Sequence, residues 1–116
     1  DLAALPEDRS PRAVHLGAFV RDELVGVVSV FIADDRSAKF RKLAVLVDYR
    51  RRGIGSSLVR AAETAAVDRR ALSFACDARL EQQPFYERRG LHRDGDPFPK
   101  YAGSSQLYVA MRKSLP

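Results

Sequence analysis

Cysteine is nearly absent from this chain. Cys76 is the only one in 116 residues, so an internal disulfide framework is excluded and a reducing, cytoplasmic setting is expected. It lies in an apolar run, where a thiol packs as a small hydrophobe rather than reacting. Histidine is scarce too: two histidines and one cysteine, well separated along the chain, do not suggest a zinc site or any other metal cluster. No apolar run approaches the roughly 18 residues of a membrane span, and no charged-then-apolar leader with a small-residue cleavage site is seen, so no membrane partner is expected. Low-complexity tracts and internal repeats are missing. The chain begins with Asp1 rather than methionine, which suggests that this is not a natural translation start.

What is present is ordinary for a globular domain. The length suits one domain with a real core, and the hydrophobic content of 46% is average. The net charge of +5 comes almost entirely from arginine. Such a balance permits an anionic cofactor or nucleic acid as partner. Outside Arg50 to Arg52, however, the arginines are mostly dispersed among acids and read as a solvated surface.

Residues 1–12 carry two prolines and no sustained period, and predict an irregular lead-in. Two β-rich runs follow, residues 13–21 and 24–33, separated by Asp22-Glu23 as a hairpin would be. Asp34-Asp35-Arg36-Ser37 marks the next turn. A third strand, residues 39–47, alternates at first and then becomes wholly apolar, as a strand does when it moves to the middle of a sheet through a bulge. From Ser56 to about Arg69, Leu58, Ala62, Ala65 and Ala66 recur at helical spacing, and the small alanines would let the helix sit close to a sheet. Residues 72–77 make a strand parallel to the third, with the helix as crossover. Residues 82–89 make a short helix closed by Gly90. Residues 91–101 are broken by Pro97 and Pro99, and residues 106–112 alternate as a closing strand. The order β-β-β-α-β-α-β-β is that of an α+β, or mixed α/β, domain.

The chemistry centres on Asp48-Tyr49-Arg50-Arg51-Arg52-Gly53-Ile54-Gly55-Ser56-Ser57-Leu58, a basic turn with two glycines between a strand and a helix. Glycine lets a backbone approach a ligand closely, and the first N–H groups of a helix favour an anion. Arginines beside them can add charge-assisted phosphate contacts. Gly-x-Gly alone is weak, since a basic surface turn would look the same. A nucleotide P-loop lacks its Gly-Lys-Ser/Thr. A dinucleotide fold is favoured by Asp77 at the end of the next strand, but Leu58 replaces the third glycine and a hairpin precedes the unit.

The same stretch, Lys42 to Leu58, resembles the acetyl-CoA signature of the GNAT N-acetyltransferases, Arg/Gln-x-x-Gly-x-Gly/Ala. A second stretch, Pro84-Phe-Tyr-Glu-Arg-Arg-Gly-Leu91, is similar to that family's later helix, Phe-Tyr-x-x-x-Gly-Phe. Pro97-Phe-Pro99 and the closing Leu107-Tyr-Val-Ala-Met-Arg-Lys113 look like the tails of small bacterial members. The likeness runs from about Val14 to Lys113. Three residues or regions depart from it. Arg51 stands where glycine is frequent, Asp77 where asparagine is common, and only about twelve residues stand where the family has a strand and one or two helices covering the acceptor. Those elements are therefore expected to be missing, the chain being a fragment or its acceptor site open or completed by another subunit.

The resemblance implies a mostly antiparallel central sheet flanked by helices, with acetyl-CoA as cofactor and an amine as acceptor. It implies that the strand at residues 39–47 splays from its neighbour and that backbone groups of Leu43, Ala44 and Val45 bind the pantetheine arm. One backbone N–H there would polarise the thioester carbonyl. Arg50, Arg51, Arg52, Gly53, Ile54, Gly55 and Ser56 would receive the pyrophosphate, with Arg51 and Arg52 either reaching a 3′-phosphate or facing water. Tyr86 matches the tyrosine that protonates the departing thiolate in many members, and that role is favoured over packing the helix on the sheet, as Phe85 is expected to do. No general base stands out among Asp77, Glu23, His15 and His92. The reading is an N-acetyltransferase working by direct transfer to a primary amine of unknown identity. A non-catalytic acyl-CoA-binding or regulatory module is the alternative. Nucleic acid ranks below both, and an exposed strand edge at the start favours a homodimer.

Overall fold

The structure, a computed structural model, describes residues 2–4 and 12–116. Eight strands form one sheet: β1 (Leu2–Ala4), β2 (Ala13–Val20), β3 (Glu23–Ile32), β4 (Ser37–Val45), β5 (Ser73–Arg79), β6 (His92–Arg93), β7 (Phe98–Pro99) and β8 (Leu107–Ser114). Two helices, α1 (Ile54–Asp68) and α2 (Gln83–Glu87), complete it. The order across the sheet is β1-β2-β3-β4-β5-β8-β6, with β7 also on β8. Only β4 and β5 run parallel; every other pair is antiparallel. The expected α+β architecture is therefore present.

Residues 2–4, expected as part of an irregular lead-in, instead form strand β1 against β2, with Leu2 opposite Ala18. Pairing with β2 overrides the weak local pattern there. Residues 5–11 of that lead-in lie outside the described residues. The first hairpin turns at Arg21-Asp22, one residue earlier than expected. Both have positive φ (50° and 67°), the two-residue geometry whose twist matches that of the flanking strands.

The core lies between the sheet and the two helices. Phe40 on β4 stacks on Phe74 of β5 at 4.7 Å, and Leu58, Val59, Ala62 and Ala66 of α1 are buried with Leu91, Val109 and Met111. The alanine stripe lets α1 lie close to the sheet, as expected. Gly26 on β3 completes that fit, since a Cβ there would fall 2.9 Å from Leu58 Cδ1 and 3.3 Å from the Ala44 carbonyl.

Candidate active site

The site grows from a fork in the sheet. β4 and β5 pair only through Ser37–Ser73, Ala38–Phe74 and Lys39–Ala75. Beyond Lys39 the strands part. On its other side β4 stays paired with β3, but there Lys42 and Leu43 together oppose Val28. That extra residue is a bulge, and Lys42 takes φ +60° within it. A bulge bends its strand, which accounts for β4 leaving β5. Because backbone groups of a strand point alternately to its two neighbours, about half of those between Phe40 and Val45 face the gap. Leu43, Ala44 and Val45 border this gap.

The strand ends at Val45, earlier than its apolar run suggests. Val47–Tyr49 is a 3₁₀ turn, with Leu46 49% and Val47 71% exposed. These apolar residues are not in a sheet centre. They stand near the mouth of the gap, where a ligand could cover them.

The turn into α1 is held from within. Arg50 Nε donates to the Val45 carbonyl at 3.0 Å, so one arginine of the triplet closes the end of β4. Arg52 lies over the Tyr49 ring at 5.1 Å, and the Tyr49 hydroxyl donates to Glu23. Arg51 is exposed with φ +64°, the conformation that glycine takes most easily. Gly53 precedes α1 with φ +80°. No side chain caps α1 and its first turn holds no acid. Helical hydrogen bonding begins with Ser57 N–H to the Gly53 carbonyl, so the N–H groups of Ile54, Gly55 and Ser56 remain for other acceptors. Gly55 has no conformational reason to be glycine: its φ is not positive, and a Cβ would meet only Phe85, at 3.7 Å.

Tyr86 reaches the vertex of the fork from α2. Its ring lies 6.0 Å from Phe40 and 4.9 Å from Phe85. The helix ends in a glycine closure: Leu91 N–H bonds to the Tyr86 carbonyl, Gly90 N–H bonds to that of Glu87, and Gly90 has φ +87°. This is the Schellman arrangement, with Leu91 folding back as the buried apolar residue. It gives a physical reason for the Phe-Tyr-x-x-x-Gly-Leu spacing, because the glycine fixes the turn that carries the tyrosine. Burial is the main force raising the Tyr86 pKa well above its usual value, followed by the neighbouring Cys76, with Arg89 opposing them. Among the described residues its hydroxyl has no hydrogen-bond partner. Tyr86 is thus a protonated phenol at neutral pH. Cys76, buried on β5, is pushed up to about 12, first by burial and then by Asp77, and is an unreactive thiol as expected.

The candidate bases are scattered. Asp77 accepts from Lys39 Nζ at 2.8 Å, Glu23 accepts from Tyr49, His15 Nδ1 lies 2.6 Å from Ser29 Oγ, and His92 is exposed on β6. Sequence reasoning missed Arg89. Its guanidinium stacks on Phe85 at 3.8 Å and donates to the Phe85 carbonyl and to Ser56 Oγ, tying α2 to the start of α1.

Comparison with known proteins decides the family. Residues 11–91 match the family model described as an acetyltransferase (GNAT) domain. The chain belongs to the GNAT acetyltransferase family. It is accordingly an acetyl-CoA-dependent acetyltransferase, and the fork and the uncapped helix start, where Gly55 carries no side chain, are compatible with that cofactor. A relative from Bacillus subtilis (strain 168), the uncharacterized N-acetyltransferase YitI, is 26% identical over 93% of this chain and 78% of its own length. The fold is similar to that of IAA acetyltransferase from Bacillus cereus ATCC 14579, with a TM-score of 0.83, 13% identity and 99% of each chain covered. It is also similar to an aminoglycoside 6'-N-acetyltransferase complexed with coenzyme A, with a TM-score of 0.77 and 19% identity over 91% of this chain and 75% of that one.

Proposed function

We propose that this GNAT acetyltransferase moves an acetyl group from acetyl-CoA directly to a primary amine while both substrates are bound. The observation that carries the reading is the fork, with Tyr86 at its vertex and the uncapped start of α1 beyond its mouth. A similar GNAT fold has been seen complexed with coenzyme A, which supports that placement.

In this reading the backbone of Leu43, Ala44 and Val45 hydrogen-bonds the pantetheine arm in the gap, as a neighbouring strand would. A backbone N–H of the same stretch donates to the thioester oxygen as charge develops there. The N–H groups of Ile54, Gly55 and Ser56 bind the pyrophosphate, which the positive end of α1 favours. Arg51 and Arg52 supply positive charge around them, while Arg50 keeps the turn closed. Tyr86 donates its phenolic proton to the sulfur as the amine displaces it; the proton that the amine nitrogen loses passes to water, and the phenolate takes one back from solvent. An ordinary phenol already holds its proton at neutral pH; burial makes Tyr86 a weaker acid still, so its donation is strongest to a thiolate, which exists only as the bond breaks. The lone buried thiol suits a cytoplasmic location.

Tyr86→Phe separates enzyme from binding module. It should leave the acetyl-CoA Kd within about twofold and slow single-turnover transfer by roughly 100-fold or more, the range for lost acid catalysis. Unchanged transfer would remove Tyr86 from the chemistry, and absence of transfer by the wild type with every amine tried would favour a binding module.

A further inference from the structure

The two faces of the sheet differ in what they carry. Phe40, Phe74, Cys76 and Met111 point to the face under α1 and α2 and are buried there. Their neighbours along each strand point the other way, and the pairs Lys39–Phe31, Arg41–Ser29, Lys39–Ala75, Ala75–Arg112 and Asp77–Ala110 hold them on one far face. On that face Lys39 Nζ donates to Asp77 Oδ2 at 2.8 Å, and the Arg41 guanidinium lies over the Phe31 ring at 5.8 Å. Both described helices lie on the first face, and Lys39, Arg41 and Asp77 all keep solvent contact.

Lys39 and Ala75 are the last pair before β4 and β5 part, so Arg41 and Asp77 are the first far-face residues on either side of the gap. An amine reaching a thioester there finds the other face filled by Phe40, Phe85 and Tyr86 and comes across the far face. What it meets is charge. On β4, β5 and β8 this face carries Lys39, Arg41, Arg79 and Arg112 against one carboxylate, Asp77. Asp94, beyond β8, stands two strand spacings from β5, roughly 10 Å. Asp77 is spent on Lys39, and among the described residues Arg41 has no ion-pair partner. An acceptor with positive charge alone would take Asp77 from Lys39 and add to an uncompensated positive field. An acceptor with a carboxylate beside its ammonium would instead exchange one ion pair for two. We propose that the acceptor is such an amine, an amino acid in the simplest case, with its ammonium on Asp77 and its carboxylate on Arg41 and Lys39. The proposal rests on the acetyl-CoA reading above. The planar fork of Arg41 suits a carboxylate, and only a ring face holds it in the free protein. The ammonium releases one proton to water before it attacks, so Asp77 sets the place of the nitrogen and takes no proton.

The test uses three coenzyme A conjugates whose sulfur bears a CH2–CO–NH–CH2 arm ending in a carboxylate, a carboxamide or a CH2–NH3⁺ group. Each is anchored by its CoA part and presents a different charge at the same point of the far face. Titration calorimetry on the wild type should find the carboxylate tightest, by about tenfold over the carboxamide as expected for charge-assisted contacts, and the ammonium weakest. Arg41→Gln and Lys39→Gln should each cut the carboxylate preference several-fold, while unconjugated CoA binds all three proteins alike. Arg41 is exposed, so its substitution keeps the fold even where loss of Lys39 does not. Equal affinity for carboxylate and carboxamide, an ammonium conjugate that binds tightest, or a carboxylate preference that survives Arg41→Gln overturns the proposal and leaves the acetyl-CoA reading intact. Failure of both CoA and the conjugates to bind the wild type would instead strike at the acetyl-CoA reading itself.

Discussion

Gly55 offers a test in which stability and binding should move in opposite directions. It occupies the first turn of α1 with no positive φ, and an added Cβ would touch only Phe85, at an ordinary 3.7 Å. Nothing in the free protein therefore requires glycine, and glycine costs a helix about 0.5–1 kcal/mol relative to alanine. Gly55→Ala should stabilise the ligand-free chain by about that amount, raising its melting temperature by roughly 2–6 °C for a domain of this size. The same methyl group would stand over the N–H groups assigned to the pyrophosphate. If it denies the ligand one charged hydrogen bond, worth about 1.5–3 kcal/mol, acetyl-CoA affinity should fall by roughly 10- to 150-fold. Thermal unfolding without ligand gives the first number, and the acetyl-CoA-induced shift with calorimetry gives the second. A lower melting temperature without ligand would mean that the fold itself requires the glycine. An unchanged affinity would move the pyrophosphate away from the start of α1. Either result refutes the reasoning.

Two further predictions concern stability. Arg51 has a left-handed φ at a cost of about 1–2 kcal/mol for a non-glycine residue; after the extra unfolded-state entropy of glycine is subtracted, Arg51→Gly should still gain about 0.5–1 kcal/mol, seen as a higher denaturant midpoint. Arg70 has a similar φ of 62° at the end of α1, so Arg70→Gly should gain a similar amount, and a loss in both would refute the strain argument. Cys76 binds its proton more tightly folded than unfolded, so its contribution is fully present below pH 9 and is lost as pH rises from 9 towards 12. Cys76→Ala should flatten the fall in unfolding free energy across that window, by up to about 4 kcal/mol at 1.36 kcal/mol per pKa unit; an equal fall in the variant would place the alkaline sensitivity elsewhere.

Local patterns made much of this molecule legible. The glycine-containing turn, the alanine stripe of α1 and Gly90 after α2 each have a short-range physical signature, and each lies where its pattern indicated. The bulge was readable too, because a strand that stops alternating must change its surroundings. Leu46 and Val47 misled for the same reason, since an apolar residue looks alike whether it faces a protein core or space open to a ligand. Strand β1 was hidden because three residues carry no period, and only pairing with β2 defines them. The charged face of Lys39, Arg41 and Asp77 was beyond reach. On the sequence Lys39 and Arg41 are the polar alternates of one strand, and only the parallel pairing of β4 with β5 brings Asp77 to them.

The fork also has a mechanical consequence. With only three residue pairs joining β4 to β5, the sheet is two blades riveted at one end: β1 to β4 on one side, β5 with β6, β7 and β8 on the other. Such blades can open as separate cooperative units, each with its own hydrogen-exchange stability. A ligand lying in the gap as an extra strand would rivet the second end and merge them. The molecule would then report occupancy of its cleft through the cooperativity of its unfolding, before any acetyl group has moved.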